Sequence, residues 1–214
     1  MFILKFDPPA LKQQYLFHNR IDKMNEEKKR CSWPTGDPLM IKYHDEEWGV
    51  SVHDDKKLFE FLVLEGFQAG LSWLTILRKR ENFRMAFDAF DYTKIARYGE
   101  KKINSLLQDA GIIRNRLKIN GTIANAKAFL TVRVEFGSFD KYIWRFTDGK
   151  TIHNCFKSLA DLPAKSELSD LISLDLKKRG FKFVGSTIVY AHMQATGIVN
   201  DHLTGCYRYR ELGG

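Results

Sequence analysis

Apolar residues in this 214-residue chain recur every three to four positions and almost nowhere every two. That period leaves helices packed on helices as the architecture and predicts an all-α fold of eight to ten helices. "DPLMIKYHDEEW" opens with Asp37 as N-cap and Pro38 at the first helical position. "DDKKLFEFLVLEGFQAG" is apolar almost all round, the mark of a buried helix. "SWLTILRKRENFRMAFDAF", the short "DYTKIARY" capped by Asp91, and "EKKINSLLQDAG" follow, the last with Gly111 as a left-handed terminator. "IRNRLKINGTIANAKAFLTVRVEFG" places Ile119, Ile123, Ala126 and Leu130 on one stripe, and "SFDKYIWRF" forms a short helix. "TDGKTIHNCFKSLADLPAK" reads as loop. "SELSDLISLDLKKRG", between Ser166 and Gly180, and "GSTIVYAHMQATG" complete the set. Residues 1–27 carry weak periodicity and read as an extension to a domain over 28–214. Met24 is a candidate start, and an amphipathic extra helix is the alternative for this segment.

A helical chain still needs a partner class, and here charge is informative. The net charge is +8 with a pI near 9.3, which favours an anionic partner, most often nucleic acid. The basic residues cluster at 78–80, 114–118 and 177–182 rather than spreading along helix faces. No run of about eighteen apolar residues is present, so no membrane span is expected. The first residues do not form a secretory signal, because Lys5 and Asp7 interrupt a short apolar run. Three cysteines, Cys31, Cys155 and Cys206, without an export signal point to a reducing cytoplasm and to metal binding over disulfides.

Three constellations carry chemistry. Cys31 and His44, with His202 and Cys206, offer N and S donors of the kind that suit tetrahedral zinc. Their spacing differs from zinc fingers, and spacing alone favours a buried free cysteine with ordinary surface histidines. "LKKRGFKFVGSTIVYAHMQATG" sets two helices around a turn bracketed by Gly180 and Gly185, with Lys182 between them. Such a turn brings backbone N–H groups and a helix N-terminus to a phosphate; the alternative is a plain helix–helix turn. Glu65 falls on the helical face of Leu58 and Leu62, where a carboxyl is costly unless something bonds it. Tyr43, Trp48 and Trp73 are candidates for aromatic walls around it, giving a receptor for a flat cationic ligand. The alternative is a Glu65 that reaches solvent from a helix end among core tryptophans.

Together, "RCSWPTGDPLMIKYHDEEWGV", "KKLFEFLVLEGFQAGLSWLTILRKRENF", "LLQDAGIIRNRLKINGTIANAKAF" and "KKRGFKFVGSTIVYAHMQATGIVNDHLTGC" resemble the 3-methyladenine DNA glycosylase I family over residues 30–207. The resemblance implies a helix-hairpin-helix DNA glycosylase fold with a structural zinc at Cys31, His44, His202 and Cys206, joining the N- and C-terminal segments. It implies that Glu65 and Tyr43 serve catalysis and that Trp48, Trp73 and Trp33 border the base pocket. It makes Gly70 and Leu71 a wedge at the minor groove, with Gly180, Lys182 and Gly185 on the DNA backbone. Lys182 is not a nucleophile in this family, and Asp201 is left without a catalytic part. The implied activity is excision of 3-methyladenine from double-stranded DNA by a monomer, in a bacterial cytoplasm at the nucleoid. A non-catalytic DNA-binding module would not need the pocket. A zinc hydrolase would need an open coordination position that four protein ligands do not leave.

Overall fold

The computed structural model describes residues 28–34 and 36–214. The extension over 1–27, with Met24, lies outside the described residues. Ten α-helices run among those described. Helix α1 (Pro38–Glu46) begins where the Asp37 carboxylate accepts the Leu39 N–H at 2.9 Å. Helix α2 (Asp55–Gln68) is capped by Asp54 and is buried without interruption from Leu58 to Phe67. Helix α3 (Trp73–Ala86) starts at Ser72, followed by α4 (Tyr92–Ile95) and α5 (Glu100–Gln108). The long α6 (Arg116–Phe136) and short α7 (Phe139–Trp144) pack on α2. Helices α8 (Glu167–Lys178) and α9 (Ser186–Ala195) form an adjacent pair, and α10 (Tyr207–Glu211) lies near the chain end.

Aromatic rings fill the space around α2. Phe59 meets Phe129 with centroids 5.0 Å apart, and Phe129 stacks on Phe139 at 4.3 Å. Such pairs add about 0.5–1.5 kcal/mol each beyond the area they bury. A second, smaller apolar cluster gathers Tyr43, Trp48 and Phe61 with Cys31 and Cys206. The site lies against this cluster.

Three local features differ from the sequence reading. Gly111 is not left-handed: α5 ends at Gln108, and the Asp109 carboxylate turns the chain by accepting the Gly111 N–H at 2.7 Å. The segment after Asp148 is not all loop, because β1 (Ile152–His153) pairs in parallel with β2 (Val199–Asn200). Helix α10, too short to show a period, was not foreseen.

One glycine sets how the two ends of the chain meet. Gly197 has φ +70°, and a Cβ there would lie 2.4 Å from the backbone of Val50 and Ser51. On either side, Gly49 N–H donates to the Gln194 carbonyl at 2.9 Å and Val52 N–H to that of Thr196 at 3.0 Å. No other residue fits this approach. It fixes the end of α9 against the chain that follows α1.

Candidate active site and metal centre

Helices α1, α2, α3 and α9 enclose a cavity of about 280 Å³. Tyr43 comes from α1, Trp48 from the turn after it, Glu65 and Gln68 from α2, and Trp73 from the start of α3. Ala191 and Gln194 of α9 form the far side, while Trp33, Met40, Leu159 and Leu162 complete the walls. Space of this size takes one small ring system, well short of a drug-sized ligand. Trp33 meets Trp48 edge-on with centroids 5.0 Å apart, and Tyr43 lies 5.2 Å from Trp73. The indole N–H groups of Trp33 and Trp73 are buried without a partner among the described residues. Unpaired buried donors are uncommon and costly, so a wall holding two suits a ligand with acceptors.

Glu65 is the chemical centre of this space. It is buried, and no described residue hydrogen-bonds its carboxyl. Burial pushes that carboxyl up to about 8. The other acid buried on the same helix shows the contrast: Glu60 accepts from Arg80 Nε at 2.6 Å and from Arg84 Nη2 at 2.7 Å. Burial also raises the Tyr43 hydroxyl well above an ordinary tyrosine, and the nearby Glu65 adds to this. Helix α2 is enclosed on all sides, so Leu58 and Leu62 face the main core. Phe61 and Gln68 face the second cluster and the cavity, and Glu65 sits at the border of the two.

The four N and S donors at the chain ends do converge. One ligand atom from each of Cys31, His44, His202 and Cys206 lies within 4.8 Å of all the others, and all four residues are buried. Cys206 Sγ is 3.5 Å from His44 Nε2 and 3.6 Å from His202 Nδ1, and Cys31 Sγ is 3.7 Å from His202 Nδ1. Zinc bonds to sulfur and nitrogen in a tetrahedron give donor–donor edges of about 3.4–3.8 Å. The outer contacts select the matching imidazole nitrogens. His202 Nε2 donates to the Trp48 carbonyl at 2.9 Å, which leaves Nδ1 as donor to a metal. His44 Nδ1 lies 2.8 Å from Asp45 Oδ1, leaving Nε2, and Arg30 holds Asp45 in turn at 2.7 Å. Between the thiols, the hydrogen bond from Cys31 holds Cys206 low and Cys31 high. The donor set and its geometry fit a tetrahedral ion.

Two loops flank the cavity. Gly70 and the exposed Leu71, 41% accessible, occupy the turn between α2 and α3, directly between the cavity residues Gln68 and Trp73. Leu71 is an apolar side chain held in solvent at the mouth of the site. The second loop, residues 179–185, joins α8 to α9. Gly180 has φ +91°, Gly185 is the N-cap of α9, and Lys182 is exposed. Phe183 has φ +55°, unusual for an aromatic residue. Its ring occupies the place of a side chain at Gly121, where a Cβ would sit 2.7 Å away. A glycine inside a helix costs about 0.5–1 kcal/mol, so its place in α6 reflects this contact.

The basic clusters read from sequence are mostly consumed internally. Arg78 pairs with Asp37, Arg80 with Glu60 and Glu47, and Lys79 Nζ donates to the carbonyls of Ala110 and Gly111. Arg116 reaches Glu100 and Asn104, and Arg179 bridges Glu135 and Asp175. Arg114, Lys177, Lys178 and Lys182 are exposed and form no ion pair among the described residues. Clustering along the chain did not distinguish these from the structural cations.

Gln68 and Gln194 were not foreseen as site residues. Asp201, buried, accepts from Gln194 Nε2 at 2.8 Å, Tyr190 OH at 2.7 Å and Asn154 Nδ2 at 2.7 Å. It therefore orients a cavity side chain and is not itself among the cavity residues. A lone glutamine in an amphipathic helix carries no sequence signal of this kind.

The family model of methyladenine glycosylases matches residues 33–209. A DNA-3-methyladenine glycosylase 1 of Escherichia coli is 50% identical over 181 residues, covering 85% of this chain and 97% of that protein. A DNA-3-methyladenine glycosylase of Haemophilus influenzae is 46% identical over 177 residues, 83% of this chain and 96% of the other. A crystal structure of a 3-methyladenine DNA glycosylase I matches at a TM-score of 0.82 and 51% identity, covering 84% of this chain and 98% of that one. A variant of such an enzyme, solved in complex with 3-methyladenine, matches at 0.81 and 34%, covering 83% and 96%. With relatives at half identity along nearly their whole length and a family model spanning most of these residues, the chain belongs to the methyladenine glycosylase family.

Proposed function

We propose that this protein is a DNA-repair glycosylase that excises 3-methyladenine from alkylated duplex DNA by hydrolysing the N-glycosidic bond, leaving an abasic site. The observation that carries the reading is the Glu65 carboxyl, without a hydrogen-bond partner among the described residues, inside an aromatic cavity sized for one base. Alkylation at N3 makes the adenine cationic. The damaged nucleotide is extruded from the stack, at a lower cost than for an intact pair. Trp73 and Tyr43 receive the cationic ring on their faces. Its charge then favours ionised Glu65, which gives up a proton and accepts hydrogen bonds from the base. This pairing selects the lesion. The charge leaves the base as the bond breaks, so the contact strengthens binding more than it lowers the barrier. Alkylation has already made the base a good leaving group; water attacks C1′ and loses its proton to solvent, while the glycosidic bond breaks and its electron pair leaves with the base, which departs neutral.

Cys31, His44, His202 and Cys206 would hold one zinc ion. Bound there, it ties the chain ends together and offers no open position to substrate. Leu71 enters the gap left by the extruded base. The 179–185 turn meets the phosphates through its main-chain amides and Lys182. The protein works on DNA as a monomer, in the bacterial cytoplasm at the nucleoid. Its named relatives are bacterial, and no described helix is long and apolar enough to cross a membrane.

Incubating the purified protein with methylated duplex DNA should release free 3-methyladenine in step with new abasic sites. Tight binding without release would instead support the non-catalytic module. Lys182→Ala should weaken binding to undamaged duplex in a sequence-independent way and lower the salt slope by about one unit, as expected for one lost phosphate contact. An unchanged slope would leave the backbone amides as the contact.

A further inference from the structure

Helix α6 touches both flanking loops, yet neither Asn125 nor Lys118 on it lines the cavity. Asn125 is 4% exposed, and its amide is spent on the backbone of one residue. Its Nδ2 donates to the Lys182 carbonyl at 3.0 Å, and its Oδ1 accepts the Lys182 N–H at 2.6 Å. This two-point clamp grips the hairpin one residue before the left-handed Phe183, whose Cβ lies 3.4 Å from the place of a Cβ on Gly66 in α2. Seven residues earlier on α6, about 10 Å along the same face, Lys118 Nζ donates to the carbonyls of Phe67 at 2.8 Å and Ala69 at 2.7 Å. Terminal helix carbonyls lack intrahelical partners, and α2 has no basic residue in its own last turn. Lys118 thus ends α2 immediately before Gly70 and Leu71.

We infer that Asn125 and Lys118 are positioning residues that set the hairpin and the Gly70–Leu71 turn at a fixed spacing, so that both loops engage one duplex together. This rests on the reading above that both loops face DNA. The helix between the two contacts is a rigid spacer, and each contact uses charge or paired hydrogen bonds rather than adaptable apolar packing. Mispositioned loops cost affinity for the duplex and leave the cavity unaltered.

The test compares Asn125→Ala, Lys118→Met and the conservative Lys118→Arg in the full chain. Five quantities are measured: KM and kcat on methylated duplex, affinity for undamaged duplex, affinity for free 3-methyladenine from tryptophan fluorescence, and Tm. Asn125→Ala and Lys118→Met should each raise KM about three- to tenfold, the loss expected for one or two hydrogen bonds. kcat at saturation and affinity for the free base should hold within about twofold, well under the tenfold that 1.4 kcal/mol represents. Lys118→Arg should restore KM. Asn125→Asp, which keeps the acceptor and loses the donor, should fall between wild type and Ala, and it stands in if the Ala protein does not fold. Unchanged KM in folded Asn125 and Lys118 variants, with Lys182→Ala still weakening DNA binding, overturns the inference alone. Unchanged duplex affinity in Lys182→Ala and the Asn125 variants alike overturns the hairpin reading and the inference with it. A parallel loss of free-base binding would assign both residues to general packing, and that too would overturn it.

Discussion

Glu65→Gln will separate the work of this side chain from its effect on the fold. Removing the charge takes away a hydrogen bond to a charged group, about 1.5–3 kcal/mol, so kcat/KM for 3-methyladenine excision should fall about ten- to a hundredfold. Most of the change should appear in KM, because the contact is to the cation before its bond breaks. The fold should gain. Burial pushes the folded carboxyl up from 4.5 to about 8. A raised value means that the protonated form is favoured in the native state. The stability this provides is complete below pH 4.5 and is lost progressively as pH rises to 8. Above that, the buried charge costs about 4–5 kcal/mol, and Gln avoids it. The variant should therefore melt at higher temperature than the wild type in alkaline buffer and at nearly the same temperature in acid. In the wild type, kcat/KM should climb with pH toward 8 and then level, since it reports the free enzyme. In the Gln variant that climb should be absent. Full activity in a folded Gln variant would remove Glu65 from the site.

The second large effect concerns the metal. Protein prepared without chelators should carry one zinc per chain, and Cys206→Ser should lose it, while Cys155→Ser, at the exposed third cysteine, should not. Apparent zinc affinities for four-ligand structural sites reach about 10–16 kcal/mol in peptides, so stripping the ion should cost several kcal/mol of stability even where the rest of the core holds. Chelator titration followed by Tm reads this. Trp48 should respond too, because its carbonyl is held by the imidazole of His202. Its fluorescence should shift as the ion leaves. A chain free of zinc, with the same Tm before and after chelation, would refute the metal assignment.

How much of this was legible in the residues varied with the range of the interactions involved. Helix α2 was plain because ten consecutive buried positions leave an unmistakable apolar run. The caps at Asp37 and Asp91 were readable because each acts within three residues. The four metal donors were visible as residue types, but their convergence was not, since Cys31 and His202 are 171 positions apart. The resemblance supplied that step. Leu159 and Leu162 wall the cavity from a segment whose local pattern says only loop. The positive clusters misled for the same reason: whether an arginine meets phosphate or Glu60 depends on which helix folds against it. Gly121 drew no reading from the sequence, because the aromatic ring it admits comes from sixty-two residues later.

The tie between residue 31 and residues 202–206 has a consequence for synthesis. His202 and Cys206 are synthesised more than 150 residues after Cys31 and His44, and the strand pairing at 199–200 and the Gly197 contact come only shortly before them. A nascent chain stalled before His202 lacks half of the candidate metal donors and the imidazole that anchors Trp48. Such a product lacks the contact that holds the Trp48 carbonyl beside the cavity, however well its central helices have packed. The Trp48 side of the cavity is therefore expected to settle only once residues 197–206 have been made.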